Sequence, residues 1–264
     1  MRWAQNVVLV TIAFAALWIV SVLYGDILPA TPDQSWAALN VPLAFNGAFA
    51  IIHMGAALLF LLTLRIYKAK LKPAYVLIAL GITILALGTL QIPLFGAFGG
   101  LDSVWVTRGG IGLTFLLSGI FVYAGCRRLA KIVKLKSPLA LYKVVVPATL
   151  GLCIVEIALP HAQTDLPAIA AVISSAINIG TGGFILAAGL LAWRIMLNMG
   201  AHYHNSMYSL GAGFFVSAAI MVCVETEMRL GIDIGSNAAF LILASTAGLL
   251  YLYAGYVFSK TEKY

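Results

Sequence analysis

Of the 264 residues, 62% are hydrophobic and only 9% charged, and the mean hydropathy is +1.01; a soluble domain carries about 25% charged residues, so this chain falls in the membrane class. The net charge of +7 would suggest a nucleic-acid partner in a soluble protein, but the bases lie in short segments between apolar runs, where charge encodes topology. No nucleic-acid partner is expected, and three cysteines without CxxC or CxxCH spacing argue against a zinc knuckle, a c-type haem attachment and a disulfide framework.

A helix that crosses a bilayer needs roughly 20 apolar residues. Windows of that length select eight segments: 6–24, 43–66, 74–95, 109–128, 144–160, 168–195, 207–227 and 236–258. The first is longer than a signal h-region and runs into YGDILPATPD without a small-x-small cleavage site, so it is expected to remain as a span. The connections GDILPATPDQSWAALNVP, KAKLKP, GAFGGLDSVWVTR, RRLAKIVKLKSPLALYK, HAQTDLP, NMGAHYHNS and EMRLGIDIGS carry Gly, Pro or charge and read as loops. The expected fold is therefore all-α and polytopic, with eight transmembrane helices.

Alternating the sides from a cytoplasmic Arg2 places Arg65, Lys68, Lys70, Lys72, Arg127, Arg128, Lys131, Lys134, Lys136, Lys143, Arg194, Lys260 and Lys263 on the same side. Fourteen of the sixteen bases are then cytoplasmic, leaving Arg108 and Arg229 opposite. This is a positive-inside pattern for a multi-pass cell-membrane protein with both termini inside, and a seven-span count would break it.

The chain also resembles itself. LTLRIY at 62–67 matches LAWRIM at 191–196, ALG at 79–81 matches SLG at 209–211, and VYAG at 122–125 matches LYAG at 252–255, at a constant offset of 129 to 130. Two four-span units, 1–135 and 136–264, would share one orientation, which makes them a parallel repeat about an axis along the membrane normal. The four-plus-four arrangement is similar in outline to haem A synthases and to the eight-span quinone-reactive anchors of the DMSO-reductase type. That resemblance implies architecture alone. Haem A synthases have histidines in helices of both halves, whereas here only His53 occupies a comparable place, so their activity is not carried across.

His53 lies midway through the second span, where an ionisable group has to face the bundle and find a partner. Asn46, Ala50 and Ala57 share its helical face. The other histidines fall in connections: His161 outside, His202 and His204 inside. A bis-histidine haem b within this chain is therefore not expected. Three readings remain open: a His/Met haem b with Met221 or Met54, a hydrogen bond to a quinone, and a packing histidine with an intramolecular partner. At the repeat offset His53 corresponds to Gly182, so a site would occupy one half only.

An outer polar cluster is the second candidate. Glu156 and His161 close the fifth span, and Glu225, Glu227 and Arg229 close the seventh, with Cys153 and Cys223 at similar depths. Such groups can bind a metal or take a proton, but no ligand spacing is diagnostic, and pairing with arginine or a solvated rim explains them equally. His202 and His204 are two residues apart, so on a helix they point about 200° from each other. No phosphate-cradling loop, HExxH or nucleophile elbow is present, and no lysine lies within a span.

The expected function is that of an accessory or anchor subunit of a membrane-bound redox complex, not catalytic on its own. It would pack against other membrane subunits and lipid, and line a quinone or haem site with His53. The alternatives are a small-solute or ion transporter and a structural or sensory membrane module.

Overall fold

The computed structural model of the chain describes residues 35–65, 70–97, 110–135, 168–198, 201–230 and 238–260. They form six helices: α1 (Ser35–Thr63), α2 (Lys72–Ala97), α3 (Gly112–Ile132), α4 (Ala168–Asn198), α5 (Ala201–Leu230) and α6 (Ala238–Lys260). No strand occurs among the described residues. Lys72–Gln91, Gly112–Ile132 and Ser175–Asn198 are long and apolar enough to cross a membrane, as in a helical membrane protein. The expected spans 6–24 and 144–160 lie outside the described residues.

Each helix packs on the next in chain order, and α6 closes on α1, so the six make a ring. Its directions follow from who meets whom. Gly125 and Gly88 of α3 and α2 face Ile78 and Phe115 respectively, so α2 and α3 are antiparallel. Gly112 faces Ile177 while Gly119 faces Phe184, so α3 and α4 run parallel. Gly55 faces Leu252 and Gly255 faces Phe60, which makes α6 and α1 the second parallel seam.

Glycine sets the closest approach at the α2–α3 crossing. A Cβ on Gly125 would stand 2.6 Å from Ile78 Cγ1 and 2.9 Å from the Ala74 carbonyl oxygen, and one on Gly81 would stand 2.9 Å from the Val122 backbone nitrogen. Backbones at such a distance exchange dispersion contacts directly, the usual way membrane helices associate when lipid is as apolar as the side chains. Ser118 Oγ donates to the Gly81 carbonyl at 2.8 Å and ties the same crossing.

The interior is a single cluster with Tyr75, Phe60, Phe214, Tyr251 and Phe258 completely buried. The exterior is also apolar: Ile51 is 74% exposed, and Leu58, Leu62, Leu87, Leu113 and Leu117 are exposed with it. A helix that is hydrophobic all round and leaves leucines outside suits lipid rather than water.

All described basic side chains, Arg65, Lys70, Lys72, Arg127, Arg128, Lys131, Lys134, Arg194 and Lys260, belong to helix ends gathered at one end of the ring. Trp193 and Tyr208 pair there at 5.9 Å, and Lys260 Nζ sits 5.4 Å from the Tyr256 ring centre, as interfacial aromatic anchors do.

Helix bounds depart from the apolar windows in one informative way. The connection expected at NMGAHYHNS is helical from Ala201, so His202 and His204 start α5 rather than sit in a loop. Likewise α1 begins at Ser35 and α5 continues to Leu230. A hydropathy window marks where apolar residues stop, whereas a helix continues into the headgroup layer as long as its backbone bonds close internally.

Candidate functional site

His53 is 4% exposed and faces inward with Ala50, Ala56 and Ala57, all buried. Its Nδ1–H donates to the Phe49 carbonyl one turn earlier at 2.8 Å. A carbonyl only accepts, so this bond fixes the proton on Nδ1 and leaves the Nε2 lone pair as the reactive position of the neutral ring. Across the α1–α6 seam stands Gly248, where a Cβ would be 3.0 Å from His53 Cε1 and 3.2 Å from Nδ1. Only glycine leaves room for the imidazole.

One turn further along α6, Tyr251 meets the His53 ring edge-on, with centroids 6.1 Å apart and planes at 64°. Its hydroxyl is hydrogen-bonded to Ser217 Oγ of α5 at 2.7 Å. Gly213, one turn from Ser217, accommodates the Tyr251 ring: a Cβ there would lie 2.6 Å from Tyr251 Cε1. Three helices thus bring His53, Tyr251 and Ser217 together in the interior, and two glycines make space for the two rings.

The remaining sequence candidates are placed as follows. Met221 lies on the α4–α5 interface, where a Cβ at Gly182 would be 3.4 Å from its Cβ; His53 lies on the α1–α6 seam, so no contact brings the two together. Met54 is 39% exposed and points out of the ring. Asn46 is in α1, and Glu225, Glu227 and Arg229 are in the last turns of α5, but their side chains lie outside the described residues, as do Glu156, His161 and Cys153 altogether. Among the described residues no three His, Cys, Asp or Glu side chains gather as a metal site would require.

Tyr251, Ser217, Gly213 and Gly248 were not among the sequence candidates. The available signal was a hydroxyl in the middle of each of the last two spans, since a polar group at that depth has to be satisfied inside the protein.

The lone pair at Nε2 limits the chemistry. It can ligate a haem iron or accept a proton from the hydroxyl of a quinol, whereas in this tautomer it has no hydrogen to donate to a quinone carbonyl. No protein-family model, curated protein or solved structure matches this chain.

Proposed function

We propose that this protein is an eight-span subunit of a membrane-bound redox complex, in which His53 accepts a proton from a quinol held against the α1–α6 seam. The observation that carries this reading is the Nδ1–H···O bond to Phe49, which presents Nε2 as a base with a fixed orientation. Tyr251, held by its hydrogen bond to Ser217, packs edge-on against the imidazole and keeps the ring in this orientation. A haem b iron at Nε2 uses the same lone pair and is the variant of this reading that an optical spectrum separates.

The eight-span, two-repeat architecture has its own support. Because α3 and α4 are parallel, α3 ends and α4 begins at opposite ends of the ring, which supports the expected fifth span, 144–160, between them. The seams also match at an offset of 129. Gly248, which faces Ile52 and His53 of α1, corresponds to Gly119, which faces Thr181 and Phe184 of α4, and Gly55 opposite Leu252 corresponds to Phe184 opposite Tyr123. Gly119 packs on the Thr181 carbonyl and Phe184, and Tyr123 and Phe184 rings lie 5.7 Å apart. The basic end faces the cytoplasm on this reading.

Purification with co-purifying subunits, quinone extraction and an optical spectrum test the function. The expected result is bound quinone, or a haem band, and at least a tenfold fall in quinol-linked electron transfer on His53→Phe. Unchanged electron transfer in a folded His53→Phe complex would overturn the reading. The two parallel seams favour one alternative, a transporter whose halves rock along them; it predicts uptake in proteoliposomes that is lost on Glu156→Gln.

A further inference from the structure

Both outward-facing stripes of the α2–α3 pair end in cations. On α2 the exposed Leu87, Leu80 and Val76 lead to Lys72, and on α3 the exposed Leu113, Leu117 and Ile120 lead to Arg127 and Lys131. These spacings of three, four and seven keep each row on one helical face. The helices are antiparallel and nearly touch at Gly125, where Ala74 and Ile78 meet it, so one turn further on Arg128 comes level with Lys70 and Lys72. The α2 stripe from Leu87 to Lys72 is about 22 Å long, enough to lie alongside an acyl chain.

Membrane orientation alone does not require these charges. At the offset of 129 Arg65 corresponds to Arg194, and the second half also keeps Lys260 and Lys263 at the end of α6, so both halves have a basic inner end. At offsets of 129 to 130, Lys70 and Lys72 correspond to positions within 199–202 and Arg127 and Arg128 to positions within 256–258, none of them Lys or Arg. Four cations of the first half therefore have no Lys or Arg counterpart in the second, with Lys70, Lys72 and Arg128 gathered at one corner and Arg127 on the adjoining outward face. The comparison of halves rests on the repeat reading, while the juxtaposition at the corner does not.

We infer that the corner where α2 begins and α3 ends is a binding site for an anionic phospholipid whose headgroup carries two phosphates. Lys70, Lys72, Arg127 and Arg128 hold the phosphates, and the acyl chains lie in the furrow between the two leucine stripes. Arginine suits the phosphate oxygens as a planar, two-pronged donor and lysine as a point charge, and a cluster of such residues just inside a span is the form that recognition of anionic headgroups takes.

The test uses the full chain, purified in mild detergent and reconstituted in nanodiscs of phosphatidylcholine alone, or with phosphatidylglycerol or cardiolipin at matched lipid charge. Native mass spectrometry and thermal unfolding are the readouts. Wild type is expected to retain cardiolipin in preference to phosphatidylglycerol and to be stabilised by it. Replacing all four cations by Gln weakens apparent cardiolipin binding at least tenfold, at about fivefold per charge near a membrane surface. The charge-keeping set Lys70→Arg, Lys72→Arg, Arg127→Lys and Arg128→Lys retains binding within a few fold, which separates lost binding from lost folding. Arg194→Gln with Lys260→Gln leaves it unchanged. Equal retention of cardiolipin and phosphatidylglycerol, a loss in the Arg194/Lys260 variant as large as in the fourfold one, or loss of a co-purifying protein with lipid retained would each overturn the inference.

Discussion

At the scale of single residues the site depends on space as much as on polarity. Gly248 faces His53 with a virtual Cβ 2.9 Å from Ile52 Cγ2 and 3.0 Å from His53 Cε1. Gly248→Ala therefore pushes on the imidazole and on a β-branched neighbour, and should destabilise the protein by about 1–3 kcal/mol. Gly110, two residues before α3, has nothing within 4 Å of a Cβ, so Gly110→Ala should change stability by at most about 1 kcal/mol, in the favourable direction, through the unfolded chain. Thermal unfolding of the two variants in the same detergent checks the pair, and equal effects would contradict the packing described. His53 itself was legible as a buried group needing an internal partner, because a lone histidine among twenty apolar residues has few alternatives. Its neighbours were not. Gly248 and Tyr251 come from the far end of the chain, and in a helix that is apolar on all sides no periodicity tells the face that meets protein from the face that meets lipid.

At the scale of elements, the end of α3 is built against its own backbone preference. The Leu135 N–H bonds to the Ala130 carbonyl and the Lys134 N–H to the Lys131 carbonyl, the pairing of a Schellman cap, and Lys134 takes the left-handed position at φ 54°. Glycine is the usual occupant, since a side chain there costs about 1–2 kcal/mol. Lys134→Gly should accordingly stabilise the protein by about 1 kcal/mol, read as a rise in unfolding temperature in neutral lipid; a fall would show that the lysine side chain contributes more than the backbone strain it imposes. Helix existence was legible from apolar windows for all six described helices. Helix ends were less so: α5 starts at Ala201, inside a stretch whose polar residues suggested a loop, because interfacial turns satisfy the backbone without apolar side chains.

For the whole molecule, the ring order joins the six described helices into one closed bundle with two parallel seams. Reporters placed after Leu135 and after Lys260 should report the same compartment, and one inserted at Asp165 the opposite one. If the Asp165 and Leu135 reporters agree, the chain does not cross the membrane between them and the eight-span reading fails. The charge pattern gives the sidedness that these reporters test, since bases in short connections are sorted by the membrane itself. The closure of α6 on α1 was beyond a one-dimensional reading, because it depends on glycine contacts such as Gly55 with Leu252, nearly two hundred residues apart.

The parallel seams have an electrostatic consequence. Each helix carries roughly half a negative charge at its C-terminus and half a positive charge at its N-terminus. Among the described helices α1, α3, α4 and α6 end where the basic residues gather, while only α2 and α5 begin there. That leaves an excess of two helix C-termini, about one elementary charge, at the basic end, and Arg65, Lys131, Arg194 and Lys260 in the adjoining turns offset it. The expected spans at 6–24 and 144–160 would both run the other way. With them, four helix dipoles oppose four, and the field along the bundle axis cancels in the low-dielectric interior, where an unbalanced field would cost most.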